Sequence, residues 1–191
     1  MRVAICAYGA GNVRSVELAL ERLGAQTELA EEPRSVLAAD LAVLPGVGAA
    51  GSAMAGLRER GLDEALRERA GAGRPILGIC LGLQLALDES EEDGGVAGLG
   101  LVPGHSVRLR EGRVPRIGWA PVDPDGETYW FAHSYAAETD AAVATSEGIV
   151  AVVRAGSFLG VQFHPEKSGA AGARYLDGVL REVRERFLSR A

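Results

Sequence analysis

In the first half of the chain, short apolar runs alternate with segments whose apolar residues recur every three or four positions. Residues 3–7 (VAICA) are one such run, ending in Tyr8-Gly9-Ala10-Gly11-Asn12, and read as a buried strand. Asn12 is placed to N-cap a helix with Val13, Val16, Leu20 and Leu23 on one face and Gly24 at its close. Gln26–Ala30 and residues 40–44 (DLAVL) are the next strands, the second running into Pro45-Gly46-Val47-Gly48. Helical patterns follow near 53–59 and 62–70. A fourth strand, 75–79 (PILGI), leads straight into Cys80-Leu81-Gly82 and a helical pattern over 83–87. Strands alternating with helices imply βαβ units and a largely parallel sheet.

The second half changes character. Residues 106–109, 128–132, 141–144, 149–153 and 158–163 read as short strands separated by turns. Their close spacing predicts hairpins added to the parallel sheet. Residues 170–188 read as a closing helix, with Asp177/Arg181 and Glu182/Arg186 four positions apart. There is no internal repeat and no linker. The expected fold class is α/β: one domain over 1–191, a three-layer sandwich whose largely parallel central sheet carries added antiparallel strands.

Composition narrows the function. The 191 residues are 47 % hydrophobic and 24 % charged, which is ordinary for a globular chain. A net charge of −6 argues against gripping nucleic-acid backbones. The arginines at 108, 110, 113 and 116 have no interleaved aromatics, so an RNA stripe is poorly supported. No stretch approaches the roughly 18 apolar residues of a membrane span, and the first apolar run is too short for a signal-peptide core. Two cysteines, Cys6 and Cys80, suit a reducing compartment. The expectation is a cytoplasmic protein without nucleic-acid or membrane partners.

The sharpest motif is Gly78-Ile79-Cys80-Leu81-Gly82, a G-x-nucleophile-x-G between an apolar strand and a helix. That is the setting of a nucleophile elbow. A tight, strained turn needs flanking positions without side chains. The helix N-terminus also favours thiolate over thiol. Taken alone, the motif is explained as well by a buried cysteine in a glycine-rich turn.

A cysteine nucleophile needs a base, and the base an orienting group. Of the three histidines, His105, His133 and His164, the last sits in Gln162-Phe163-His164-Pro165-Glu166 at a strand end. Glu166 is close enough in sequence to reach the imidazole nitrogen facing away from the sulfur. Cys80, His164 and Glu166 are the candidate catalytic residues. An oxyanion hole would take the Leu81 N–H and, from the turn after another strand, the Val47 N–H. The glycines flanking Val47 would let that peptide flip at low steric cost.

With these motifs the sequence resembles the triad-type class I glutamine amidotransferases. More narrowly, it resembles the glutaminase subunits of imidazole glycerol phosphate synthases. The likeness runs nearly end to end and includes the YGAGN opening, PGVG, the elbow with Gln84, Ser90-Glu91-Glu92, Gly118-Trp119, His133-Ser134-Tyr135 and Gln162 through Gly169. It implies glutamine hydrolysis through a Cys80 thioester, with ammonia delivered to a cyclase subunit built as a (β/α)8 barrel. It implies no metal and no organic cofactor. It assigns glutamine binding to Gly48, Gln84, Glu92, Ser134 and Tyr135, although the acidic run 88–93 would otherwise read as a solvated loop. It places Lys167, Trp119 and Asn12 at the partner interface. Lys167 is the only lysine in a chain that writes every other basic residue as arginine.

The sequence departs from the family at three positions. Ala7 stands where an aspartate is usual, Arg116 where a histidine is usual and Ala120 where an asparagine is usual. His105 matches no family role. Two other readings are the glutaminase of another ammonia-channelling enzyme, such as pyridoxal phosphate synthase, and a non-enzymatic protein with an elbow-bearing fold. YGAGN and PGVG count against the first, and retention of Glu166 beside His164 counts against the second.

Overall fold

The computed structural model describes residues 1–9 and 12–188, so Ala10 and Gly11 of the opening motif lie outside the described residues. The chain runs β1 (Arg2–Cys6), α1 (Val13–Arg22), β2 (Gln26–Ala30), α2 (Pro33–Ala38), β3 (Leu41–Leu44), α3 (Ala50–Glu59), α4 (Leu62–Gly71) and β4 (Ile76–Ile79). β4 turns directly into α5 (Leu81–Ala86). Short strands follow: β5 (Glu89–Ser90), β6 (Val96–Ala97), β7 (His105–Arg108), β8 (Arg116–Val122), β9 (Glu127–His133) and β10 (Tyr135–Glu138). β11 (Ala142–Ser146), β12 (Ile149–Ala155), β13 (Phe158–Val161) and α6 (Gly169–Leu188) complete the order.

The main sheet has the order β11-β12-β13-β4-β3-β1-β2. It is parallel from β13 to β2, while β12 and β11 add on antiparallel. Strands covered on both faces must be apolar at every position, and β3 and β4 are buried throughout. Alternate residues feed opposite layers. Ala4, Ala42 and Leu44 pack with Met54, Leu57, Leu66 and Leu83 from α3, α4 and α5. Ile5, Val43 and Leu77 pack with Leu20 of α1 and with Leu176 and Leu180 of α6. Helices thus cover both faces of one sheet, the expected three-layer α/β sandwich.

Not every expected hairpin joins that sheet. β11 and β12 do, but β7 belongs to a separate four-stranded sheet, β10-β7-β5-β6, and β9 pairs with β8 in a hairpin of its own. In α1, Asn12 takes the N-cap position but makes no side-chain cap bond, while Gly24 closes the helix at φ +78° as expected. Both charge pairs of the last helix form, Arg181–Asp177 at 2.9 Å and Arg186–Glu182 at 2.7 Å.

Candidate active site

In a parallel sheet, ligands bind where the loops leave the carboxyl ends of the strands. Here β3, β4 and β13 lie side by side, with Leu44 opposite Gly78 and Ile79 opposite Val161. The residues that follow each strand therefore leave the sheet together. They are Pro45-Gly46-Val47-Gly48 after β3, Cys80 after β4, and Gln162 to Glu166 after β13.

Cys80 carries φ +52° and ψ −107°, a conformation that a side chain adopts only under strain. The Cys80 N–H donates to the Val161 carbonyl at 2.7 Å, tying the turn to β13. Glycines make the turn possible. A Cβ on Gly82 would lie 1.8 Å from the Leu44 carbonyl oxygen, and one on Gly46 would lie 2.6 Å from Leu81 Cβ. The elbow and the loop after β3 can touch only because both positions lack a side chain.

His164 is held from behind. Its N–H donates to the Trp130 carbonyl at 2.8 Å, and its own carbonyl accepts from Ser168 Oγ at 2.7 Å. Ser168 Oγ in turn accepts from the Trp130 N–H at 2.9 Å. The ring is aimed by Glu166, whose Oε1 lies 2.8 Å from Nδ1. Burial opposes a charged imidazole here. The hydrogen bonds and charges of Cys80 and Glu166 outweigh it and hold the pKa up at about 9. The structure thus brings the thiol, the imidazole and the carboxylate together.

A cleft of about 210 Å³ opens over Cys80, lined among others by Val47, Gly48, Leu81, Gln84, Glu92 and Tyr135. Val47 is 37 % exposed, and nothing lies within 4 Å of a Cβ built on Gly48, which sits at φ +103°. Glu92 Oε2 accepts from the Ala50 N–H at 2.8 Å and caps α3, while burial, together with Asp93, raises its pKa against that bond. Gln84 Nε2 is engaged by the Tyr135 carbonyl at 2.8 Å and by Gln162 Oε1 at 3.2 Å. The Ser134 carbonyl accepts from the Leu109 N–H at 2.9 Å. The carbonyls of Ser134 and Tyr135 thus already have protein partners.

His133 opens the His133-Ser134-Tyr135 motif, and the family resemblance assigns it no role. It is buried, donates from Nδ1 to the Tyr135 carbonyl at 2.9 Å, and is kept neutral by burial, with its pKa lowered to about 4. His105 forms a surface pair with Glu89 at 3.1 Å, away from this cleft. Arg116, one of the departures, lies 4.4 Å over the Phe131 ring and donates to Ser146 Oγ and Glu147 Oε2 at 2.8 and 2.9 Å. Ala120 is packed in the core and Ala7 is half-buried at the end of β1. Beside the cleft, β8 exposes Ile117 and Trp119, the latter 56 % exposed and edge-on to Trp130 at 5.8 Å. Asn12 and Lys167 are also exposed. Among the described residues there is no cluster of three or more side chains suited to a metal ion.

Residues 6–182 match the family model "Glutamine amidotransferase class-I". The chain belongs to that family. It is 46 % identical to the imidazole glycerol phosphate synthase subunit HisH of Carboxydothermus hydrogenoformans, over 92 % of this chain and 96 % of that one. It is 42 % identical to HisH of Methanothermobacter thermautotrophicus, over 95 % and 99 %. Among solved structures, a glutamine amidotransferase superposes with a TM-score of 0.77 at 21 % identity, over 92 % of this chain and 96 % of that one. PurLQS from Thermotoga maritima gives 0.73 at 20 %, over 95 % and 98 %. Within its family the chain is a glutaminase subunit of imidazole glycerol phosphate synthase, an enzyme of histidine biosynthesis.

Proposed function

We propose that the chain, acting as one unit over 1–191, hydrolyses L-glutamine at Cys80 and passes the ammonia to a cyclase subunit built as a (β/α)8 barrel. The observation that carries this reading is the buried His164 ring, bonded to Glu166 through Nδ1 and close enough to Cys80 for the thiol to help raise its pKa. Cys80 Sγ attacks the side-chain carboxamide carbon. The oxygen that gains charge is held by the Leu81 and Val47 N–H groups. His164 gives its proton to the departing nitrogen, the C–N bond breaks, and a thioester with ammonia results. His164 then takes a proton from water as its oxygen attacks the thioester, and the sulfur leaves with glutamate as product. Glu166 keeps Nδ1 protonated and stabilises the imidazolium throughout.

Gly48, Gln84, Glu92, Ser134 and Tyr135 hold the amino-acid end of the substrate. Glu92 offers its carboxylate to the ammonium, and the N–H groups of Ser134 and Tyr135 serve the carboxylate, since their carbonyls are engaged elsewhere. Trp119, Asn12 and Lys167 meet the partner, and Ile117 extends that apolar face. The reducing compartment suggested by the cysteines is the cytoplasm.

The test is Cys80→Ala in the assembled synthase. Glutamine-dependent product formation should vanish while formation from ammonium salts persists. Retained glutamine-dependent activity, or loss of both, would overturn the reading.

A further inference from the structure

Gln162 takes no part in the steps above, yet it touches the reacting sulfur. Val161 pairs with Ile79 across β13 and β4, so the next residues, Gln162 and Cys80, emerge side by side. Gln162 is wholly buried, and its Nε2 lies 3.5 Å from Cys80 Sγ. Its Oε1 accepts from Gln84 Nε2 at 3.2 Å, and that nitrogen also donates to the Tyr135 carbonyl at 2.8 Å. His133 Nδ1 reaches the same carbonyl at 2.9 Å.

A backbone carbonyl fixes the direction of this chain of bonds. The Tyr135 oxygen can only accept, so Gln84 must turn its NH2 group toward it and His133 must carry its proton on Nδ1. One Gln84 hydrogen serves Tyr135 and the other serves Gln162 Oε1. Gln162 is thereby left with its own NH2 group facing the sulfur. Turning it over would set two NH2 groups against each other and an oxygen against sulfur. Both lone pairs of the Tyr135 carbonyl are then used, so neither Gln84 nor His133 can reverse without losing its bond.

Resting on the assignment of Cys80 as nucleophile, we propose that Gln162 is a further catalytic residue, whose amide N–H stabilises the Cys80 thiolate, with its orientation set by Gln84 and the Tyr135 carbonyl. Besides His164, the sulfur has two polar neighbours, one suited to each of its states. As a thiol it can point its hydrogen at the Ala132 carbonyl, 3.9 Å away. As a thiolate it loses that contact and keeps the Gln162 donor beside the His164 imidazolium, and the Gln162 bond is then charge-assisted. The bond strengthens when the thiolate forms, weakens in the thioester, and strengthens again when sulfur leaves in the second half of the cycle. Both halves of turnover therefore depend on it.

Two variants in the assembled synthase test this. Gln162→Met keeps the length and removes the donor. Gln162→Glu keeps an oxygen toward Gln84 and sets a second one against the sulfur. Site-resolved alkylation of Cys80 by iodoacetamide across pH reads the titration of the Cys80–His164 pair. For the Met variant the midpoint should rise by about one unit and kcat for glutamine should fall about tenfold, with KM within about twofold. For the Glu variant the rise should be larger. Midpoints unchanged from wild type in folded variants would overturn the proposal. If the Met variant melts too low to assay, the Glu midpoint decides alone. Glutaminase activity surviving in Cys80→Ala would instead overturn the nucleophile assignment beneath it, and Gln162 would have no thiolate to stabilise.

Discussion

His164 and Glu166 stand two positions apart in the chain, and Nδ1 of the one meets Oε1 of the other at 2.8 Å with both side chains almost wholly out of solvent. So short a loop aims a base by itself. Pro165 between them fixes the backbone, and the turn back to β9 through Ser168 holds it in place. Removing water makes each charge costly alone and makes the pair strong.

Glu166→Gln keeps an acceptor for Nδ1 but removes the charge. The pKa of His164, held at about 9, should fall toward its ordinary 6.5. The alkaline limb of kcat then moves to lower pH, and kcat at neutral pH drops about a hundredfold. Stability shifts with it. A histidine with a raised folded-state pKa contributes stability that is complete below 6.5 and is lost as pH rises through about 9. The wild-type melting temperature should decline across that window and the variant's should decline less. Superimposable kcat–pH profiles would count against this role for Glu166.

The two cysteines should react very differently. Cys6 is buried in the core, and burial pushes its thiol up to about 12 despite the nearby Arg69 charge. Such a thiol is neutral and unreachable in the folded protein. A chloroketone analogue of glutamine should therefore modify Cys80 alone, as read by peptide mass spectrometry. Label at Cys6 in folded protein would contradict the packing described for β1.

Gly82→Ala tests the contact between elbow and oxyanion loop. The added methyl would sit 1.8 Å from the Leu44 carbonyl oxygen, a backbone atom that cannot swing away. The expected cost is about 3 kcal/mol or more, seen as a much lower melting temperature or loss of soluble protein. Gly24→Ala, which meets no atom within 4 Å but sits at φ +78°, should cost only about 1 kcal/mol.

The centre of the parallel layer was legible because β3, β4 and β13 are buried on both faces and so read as continuous apolar runs, whereas the edge strand β2, QTELA, is largely exposed. What escaped has a physical reason. α2 spans six residues and buries only Val36, leaving almost no periodic signal. β8 alternates partly buried or buried residues with the exposed Ile117 and Trp119, and its run is broken by Gly118 and Pro121. β7, HSVR, holds a single apolar residue and β9 is rich in aromatics, and no local pattern says which sheet either joins. In the site, the elbow and the His164–Glu166 pair are local in sequence and could be read directly. The contact between Gln162 and Cys80 depends on the register of β13 against β4, and the capping of α3 by Glu92 joins residues 42 apart. Neither has a local signature.

The exposed face of β8 should anchor the partner subunit. Trp119 and Ile117 point the same way from one strand, and isolated large apolar side chains at this exposure gain most by being covered. Trp119→Ala is expected to weaken assembly by about 2 kcal/mol, roughly a thirtyfold rise in Kd by calorimetry. Ammonia-dependent turnover by the partner should persist in the mixture.

The isolated chain should hydrolyse glutamine slowly and be accelerated by its partner. Of the two proposed oxyanion donors, the Leu81 N–H belongs to a turn fixed by packing. The other, Val47 N–H, belongs to a loop that is exposed, flanked by Gly46 and Gly48, and next to the Trp119 face at the cleft. Gly48 at φ +103° meets no atom within 4 Å, so that peptide has room to turn. A partner seated on Ile117 and Trp119 would favour the orientation that completes the hole, a population shift rather than new chemistry. Glutaminase rates are to be compared for the chain alone, with the cyclase subunit, and with the cyclase subunit plus its nucleotide substrate. At least a tenfold rise is expected along that series, and equal rates would mean the hole is already formed in the free chain. Gly48→Ala, which resists positive φ, should reduce the stimulated rate more than the basal one.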